Sequence, residues 1–464
     1  AVDAAGPRLR AVIEIAPDVL ARADQLDAER VAGRLRGPLH GLPVLVKDNI
    51  DVAGMVNSAG SLALAENRPA RDAFVVARLR EAGAVVLGKT NLSEWANFRS
   101  EHASSGWSSR GGQTRNPYVL DRSPCGSSSG TGAAIAASLA PLGVGTENDG
   151  SVLCPSSVNG LVGVKPTVGL VSRDGIIPIS GTQDTAGPMT RSVADAALLL
   201  QVLATADTAE PAAAFRPKDA VDYLAVLKPG ALRGRRIGVL RQSMGDHPAI
   251  DAAAEAAYAV LRKSGATLVD VQIATWGQWG DAEYTLMLVE FRQGLEDYLR
   301  RADSPFDGLA ALADWNRANA ARVMPWFGQE IFEKTLALDP RDEAAYRNAR
   351  ATAMRLAWEE GLRPLFEQQG FDALVGPTNG PAWPIDLVLG DPPGNSAYGI
   401  AAVAGTPSVT VPMGALGELP LGLAFLGKPW GEAELLAMAA DFEERTRARR
   451  APRYLPTVDP DHIP

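Results

Sequence analysis

The chain has 464 residues, 46% hydrophobic and 21% charged, with 45 basic residues against 54 acidic ones and a formal balance of −9. That composition supplies a large apolar core under an ordinary surface. It gives no general electrostatic reason to bind nucleic acid or an anionic membrane, since both need a concentrated basic face, and a small solute is the expected partner.

The two cysteines, Cys125 and Cys154, make no disulfide framework, although one bridge between them is open. His40, His102, His247 and His462 are scattered with no metal-ligand spacing, so neither a zinc site nor another metal site is expected. The longest apolar stretch, Ala133 to Val144, is broken by Ser138, Pro141 and Gly143 and is too short to span a bilayer. The first residues have neither the basic start nor the apolar centre of a signal peptide. A cleaved leader leaves no trace, so a soluble chain in the cytoplasm or one exported after losing a leader both stay open, as does the oligomeric state.

Taken in order, residues 10–35 read as a helix, with Ala, Leu and Val recurring at three- and four-residue intervals. Residues 41–50 read as a buried strand ending in Lys47-Asp48-Asn49. A helix over 71–82 and a short strand over 83–88, ending at Lys89, repeat the pattern. Alternating helices and apolar strands predict an α/β fold, a large mixed sheet with helices on both faces. From 110 to 187, Gly, Ser, Thr, Asn and Pro dominate, and regular periodicity survives in an alanine-rich helix over about 132–140 followed by a short apolar strand. Such a stretch of turns inside a compact enzyme usually carries function. Residues 206–230 read as a surface connection. A strand over 236–240 and amphipathic helices to about 368 follow, and 373–376 and 407–412 return the chain to sheet. There is no internal repeat.

Three segments carry potential chemistry. Pro124 to Gly132, with Ser127, Ser128 and Ser129, stands directly before the alanine helix. Alone it reads as a helix cap, and it lacks the Lys-Ser/Thr pair of a phosphate loop. Gly143 to Ser151 makes a tight turn whose successive N–H groups can converge on an oxyanion, although an ordinary Asn-Asp-Gly turn has the same composition. Lys47, at a strand end, normally reaches water; buried without a counter-charge it becomes a neutral base. No histidine lies inside either serine-rich segment. Serine activated by lysine through a second serine is the recognised variant that dispenses with one.

Together these segments resemble the amidase signature family. The resemblance runs over nearly the whole chain through Gly41–Asn49, Gly88–Glu94, the serine loop, Thr146–Pro155, Gly160–Thr167, Asp184–Met189, Ala404–Pro412 and Leu419–Leu423. Gly111–Tyr118 and Ser172–Ser180 are most similar to the bacterial peptide amidase branch, whose members remove a C-terminal amide from peptides and release ammonia. The resemblance implies one amidase domain over 1–464, with the largely helical region 206–370 shaping the substrate pocket. It implies no cofactor and a small-molecule or peptide amide as partner. It makes Ser151 the nucleophile, Ser127 the relay serine on a cis peptide bond, 24 positions earlier, and Lys47 the base. The oxyanion hole falls to the backbone of Asn148, Asp149, Gly150 and Ser151, with Asn97 and Ser128 as substrate-facing side chains. Asp149 and Leu153 depart from the glycine and arginine common in the wider family, and the Asp149 carboxylate is expected to point away from the hole. The same machinery fits carbamate, aryl-acylamide or ester cleavage, or the glutaminase component of an amidotransferase. A silent binding protein is disfavoured because all three catalytic residues are retained. Trp276, Trp279, Tyr284, Trp326 and Phe327 are available in the middle helices, for the pocket or for the core.

Overall fold

The computed structural model describes residues 2–217, 221–245, 247–339 and 342–459; His462 lies outside them. Thirteen strands are present among these residues: β1 Val12–Ile15, β2 Pro43–Lys47, β3 Val85–Thr90, β4 Trp107–Ser108, β5 Gly112–Gln113, β6 Leu142–Glu147, β7 Val162–Lys165, β8 Thr185–Thr190, β9 Arg236–Leu240, β10 Thr267–Val271, β11 Ala373–Pro377, β12 Ser408–Leu416 and β13 Leu419–Leu426. Eleven form one mixed sheet in the order β1-β3-β2-β6-β8-β7-β12-β13-β11-β9-β10, while β4 and β5 make a separate ribbon.

Helices α1 (Val19–Val31), α2 (Phe74–Glu81), α3 (Ser129–Ala136), α4 (Leu153–Val158) and α5 (Val193–Leu203) belong to the first half of the chain. Alternation along β2 explains why helices cover both faces of the sheet. Val44 and Val46 pack in one core cluster with Val75 and Val76 of α2 and Leu199 and Leu200 of α5. Leu45, between them, packs in another with Ala133, Ala134 and Ile135 of α3, where α4 also contributes Cys154 and Val158. The expected α/β sheet with two helical layers is what the chain forms.

Several expectations need correction. The helix expected over 10–35 opens as strand β1, antiparallel to β3, and only then becomes α1. The β-branched run Val12-Ile13-Glu14-Ile15 favours extended backbone, and Pro17 disfavours a helical residue before it. The alanine-rich helix starts earlier than expected, at Ser129, and ends at Ala136, so its hydroxyl-rich first turn is already helical. Strands β7 and β8 and helix α4 lie in the stretch read mainly as turns. In the middle region β9 is the strand expected over 236–240, and β10, not expected, joins it in parallel. Its longest helix, α7 (Gly280–Arg301), runs over the site; α6 is Pro248–Lys263.

The site is set at one end of the sheet. Strands β2 and β6 are parallel neighbours, so Lys47 and the pair Thr146-Glu147 emerge on the same edge. Carboxyl ends of parallel strands are where α/β sheets present their chemistry.

Candidate active site

Lys47 is completely buried. Its Nζ donates to Ser127 Oγ at 2.7 Å, to Thr146 Oγ1 at 2.8 Å and to the Thr146 carbonyl at 3.1 Å. None of these is a carboxylate. Burial therefore pushes the amine down from 10.5 to about 7, against the more distant charges of Asp184 and Glu147.

Ser127 follows a cis Gly126-Ser127 peptide bond. Its carbonyl accepts from the Ser93 N–H at 3.1 Å, and the next residue ties the loop to the second segment, Ser128 N–H donating to the Ser151 carbonyl at 3.2 Å. The disulfide Cys125–Cys154 joins the same two segments. Ser127 and Ser128 face different partners. The Ser128 hydroxyl donates to the Thr146 carbonyl and accepts from its N–H, and the side chain is fully buried. Expected to face substrate, Ser128 instead bridges the loop to β6 and lines neither of the cavities beside the site.

The turn from Glu147 to Ser151 is held from behind by a carboxylate. Glu147 Oε2 accepts from Val152 N–H at 2.7 Å and Leu153 N–H at 2.9 Å, at the start of α4. Burial pushes this carboxyl up, opposed by Lys165 and by the N–H groups of Leu153, Val152 and Gly150. Gly150 has φ +77°, and a Cβ there would sit 2.3 Å from the Tyr398 ring. That conformation and that contact both require glycine. Among the described residues no acceptor engages the backbone N–H of Asp149 or Ser151.

Two cavities reach this assembly. Ser151, Asp149, Asn97, Asn379, Trp383 and Tyr398 line one of about 500 Å³, with both cysteines in its wall. Ser127, Asn49, Thr146, Glu147 and Asp184 line another of about 470 Å³. They share Ala96, Asn148 and Ile179. Asn97 is placed on the Ser151 side, where its Nδ2 donates to Ser105 Oγ at 3.1 Å. It ends a run of three left-handed residues, Trp95, Ala96 and Asn97, an uncommon backbone that turns the loop along the cavity wall.

Asp149 is exposed to the Ser151-side cavity and makes no side-chain hydrogen bond among the described residues. Burial, Glu283 and Glu147 push its carboxyl well above the usual range, with Lys165 opposing. Glu283, from α7, is itself raised to about 7 by burial, against a hydrogen bond from Gln183. Asp184 is raised to about 6 by burial, against hydrogen bonds from Asn148, Ile179 and Ser180. Glu147, Lys165 and Asp184 lie inside segments that carry the family resemblance but receive no role from it, while Glu283 and Tyr398 lie outside those segments, and no spacing links the five. The aromatic residues available for the pocket do not line these two cavities. Trp276 packs on Trp279, Phe327 on Trp107, and α7 presents Met287 and Gly294 to the cavities instead. His102 is exposed and lines neither cavity.

A mixed sheet carrying a buried lysine against a serine loop and a glycine turn defines an amide hydrolase of one class. The family model for amidase matches residues 1–436, and the chain belongs to that family. It is 37% identical to a probable amidase of Arabidopsis thaliana, over 98% of this chain and 86% of that protein. A putative amidase of Arthroderma benhamiae is 36% identical over 95% of this chain and 76% of its own length. Among solved structures, native peptide amidase from Stenotrophomonas maltophilia superposes with a TM-score of 0.95 at 53% identity, covering 98% of this chain and 92% of that one. Peptide amidase in complex with the competitive inhibitor chymostatin gives 0.96 at 54% identity, covering 98% and 93%.

Proposed function

We propose that this amidase releases ammonia from C-terminal peptide amides through an acyl-enzyme on Ser151. The observation carrying the reading is the 2.7 Å contact between a fully buried Lys47 amine and Ser127 Oγ, on a loop bonded to the Ser151 carbonyl. Likeness to peptide amidase at 53–54% identity supports the substrate class.

In this mechanism neutral Lys47 accepts the Ser127 proton while Ser127 accepts that of Ser151, and Ser151 Oγ adds to the amide carbon. The oxyanion meets the backbone N–H groups of the Asn148–Ser151 turn; one such donor is worth about 2.7–4 kcal/mol in other hydrolases. Collapse breaks the C–N bond, and the relay returns the proton to the nitrogen, which leaves as ammonia. Water then adds to the acyl carbon, losing its proton along the same path, and the acid is freed as Ser151 is regenerated. The region 206–370 acts within the same domain, lining the pocket through α7. Asn97 is assigned to the substrate; Ser128 is assigned to holding the loop.

The test is a panel of one acyl group carried as peptide amide, anilide, methyl ester and carbamate, alongside free glutamine, with ammonia or amine release and acid formation measured. Turnover of the peptide amide without turnover of glutamine is expected. Glutamine as the preferred substrate would replace this reading with the amidotransferase one.

A further inference from the structure

The turn that carries Ser151 is anchored at both ends, and one anchor lies outside the three catalytic residues. At its far end the Ser151 carbonyl accepts from Ser128 N–H at 3.2 Å, and at its near end Asn148 Nδ2 donates to Asp184 Oδ1 at 2.9 Å. Sheet register brings the second pair together. Strands β6 and β8 are antiparallel with Glu147 opposite Thr185, so Asn148 and Asp184 face each other one step beyond the sheet. Asn148 is buried, and flipping its amide would set oxygen against the Asp184 carboxylate, so the direction of this bond is fixed.

Asp184 is itself held. Its Oδ2 accepts from Ile179 N–H at 2.8 Å and Ser180 N–H at 3.0 Å, and its own N–H donates to the Ser180 carbonyl at 3.0 Å, closing residues 179–184 into a small loop. The three groups bonded to this carboxyl are all N–H donors, which suits its ionised form, and at about 6 it is ionised in neutral solution. Helix α7 fixes the loop from outside. Glu290 accepts from Thr182 N–H at 3.0 Å and Thr182 Oγ1 at 2.9 Å, and Glu283, about two turns earlier on the same helix, accepts from Gln183 Nε2 at 2.8 Å.

Glu147 holds the turn from the α4 side, whereas the Asn148–Asp184 bond holds the end that faces the Ser127-side cavity. We propose that Asp184 is a positioning residue for the oxyanion turn, acting through Asn148 to aim the free N–H groups of Asp149 and Ser151, with α7 keeping Asp184 in place. This rests on the amide-hydrolysis reading above. An oxyanion gains from N–H dipoles only where they already point at it, so releasing the Asn148 end costs the transition state and spares the bound amide. The Asp184 charge also favours the protonated Lys47 amine, and Asn148→Ala separates the two effects because it removes the tie and leaves that carboxylate in place.

The test is a double-mutant cycle in the full chain, Asn148→Ala, Asp184→Ala and both together, with kcat and KM measured on a peptide amide across pH. Each single variant should lose about tenfold or more in kcat with KM held within about twofold. The double variant should fall no further than the worse single one, because one bond is removed once. Asn148→Ala should keep the parental pH midpoint, and it carries the test alone where Asp184→Ala does not fold. Full kcat in Asn148→Ala, additive losses in the double variant, or a loss carried in KM would overturn the inference. A lowered pH midpoint in Asp184→Ala beside full kcat in Asn148→Ala would also overturn it, assigning Asp184 to Lys47 through charge. A parent that turns over another amide but no peptide amide would sink the substrate reading alone, since the same cycle on that amide still tests Asp184.

Discussion

Replacing Lys47 by methionine tests the base directly, because burial gives its charge state a calculable weight. The amine stands at about 7 in the folded protein against 10.5 ordinarily. The unfolded chain holds this proton up to about pH 10.5 and the folded one only up to about 7, so folding expels a proton between them. Stability therefore rises with pH across that window, by about 1.4 kcal/mol per pH unit from this group alone. The penalty of burying the amine is about 5 kcal/mol near pH 6 and about 2 kcal/mol near pH 9. Lys47→Met lacks the penalty. Its loss of the hydrogen bonds to Thr146 is a constant, whereas its advantage over the parent should shrink by about 3 kcal/mol between those two pH values. Urea unfolding of both proteins across the range reads this difference. The kinetic arm runs parallel, with parental kcat/KM falling about tenfold per pH unit below about 7 as the amine protonates, and a loss of about 10²–10⁴ in the variant. A stability difference that is flat with pH, together with an unchanged pH–rate profile, would refute the assignment.

Ser151→Ala should show no turnover and no acyl adduct by mass spectrometry on an intact fold. Ser127→Ala should retain the adduct site but lose about 10²–10⁴ in kcat, as expected when a proton path is broken. Gly150→Ala should lose activity and the parental near-UV spectrum together, since its methyl meets the Tyr398 ring at 2.3 Å. Cys125→Ser with Cys154→Ser opens a loop of 29 residues and should cost about 3–4 kcal/mol of stability, read as a lowered Tm. Parental stability in that double variant would show that α4 and the serine loop are held without the bridge.

What the sequence reveals and what it hides follow a physical line. Lys47 draws notice as a charged residue ending an apolar strand, but such a lysine normally reaches water, and its role as base comes from the family resemblance. The Asn148-Asp149-Gly150 turn is equally ambiguous, since an ordinary turn has the same composition. The choice of Ser127 over Ser128 comes from family resemblance, since two adjacent serines look alike until one meets Lys47 and the other Thr146. Strand β8, Thr185-Ala-Gly-Pro-Met-Thr, is hidden because its neighbours approach too closely for the usual apolar run. A Cβ on Gly187 would stand 2.0 Å from the Val164 carbonyl. The Cys125–Cys154 bridge and the partners Glu147, Lys165, Asp184 and Glu283 depend on distances between elements that no spacing encodes.

Those hidden partners share a property that bears on the chemistry. Lys47 and Lys165 are pushed down by burial, while Glu147, Asp149, Asp184 and Glu283 are pushed up by it. Every one moves towards its neutral form, and in each burial outweighs the opposing charges. Asp149 is the instructive case, since an ionised carboxylate beside an oxyanion would raise the barrier it should lower. With Glu283 and Glu147 close and no cation paired to it among the described residues, its charged form is the expensive one. The upward shift lowers the cost of a carboxyl at a position where the wider family commonly has glycine.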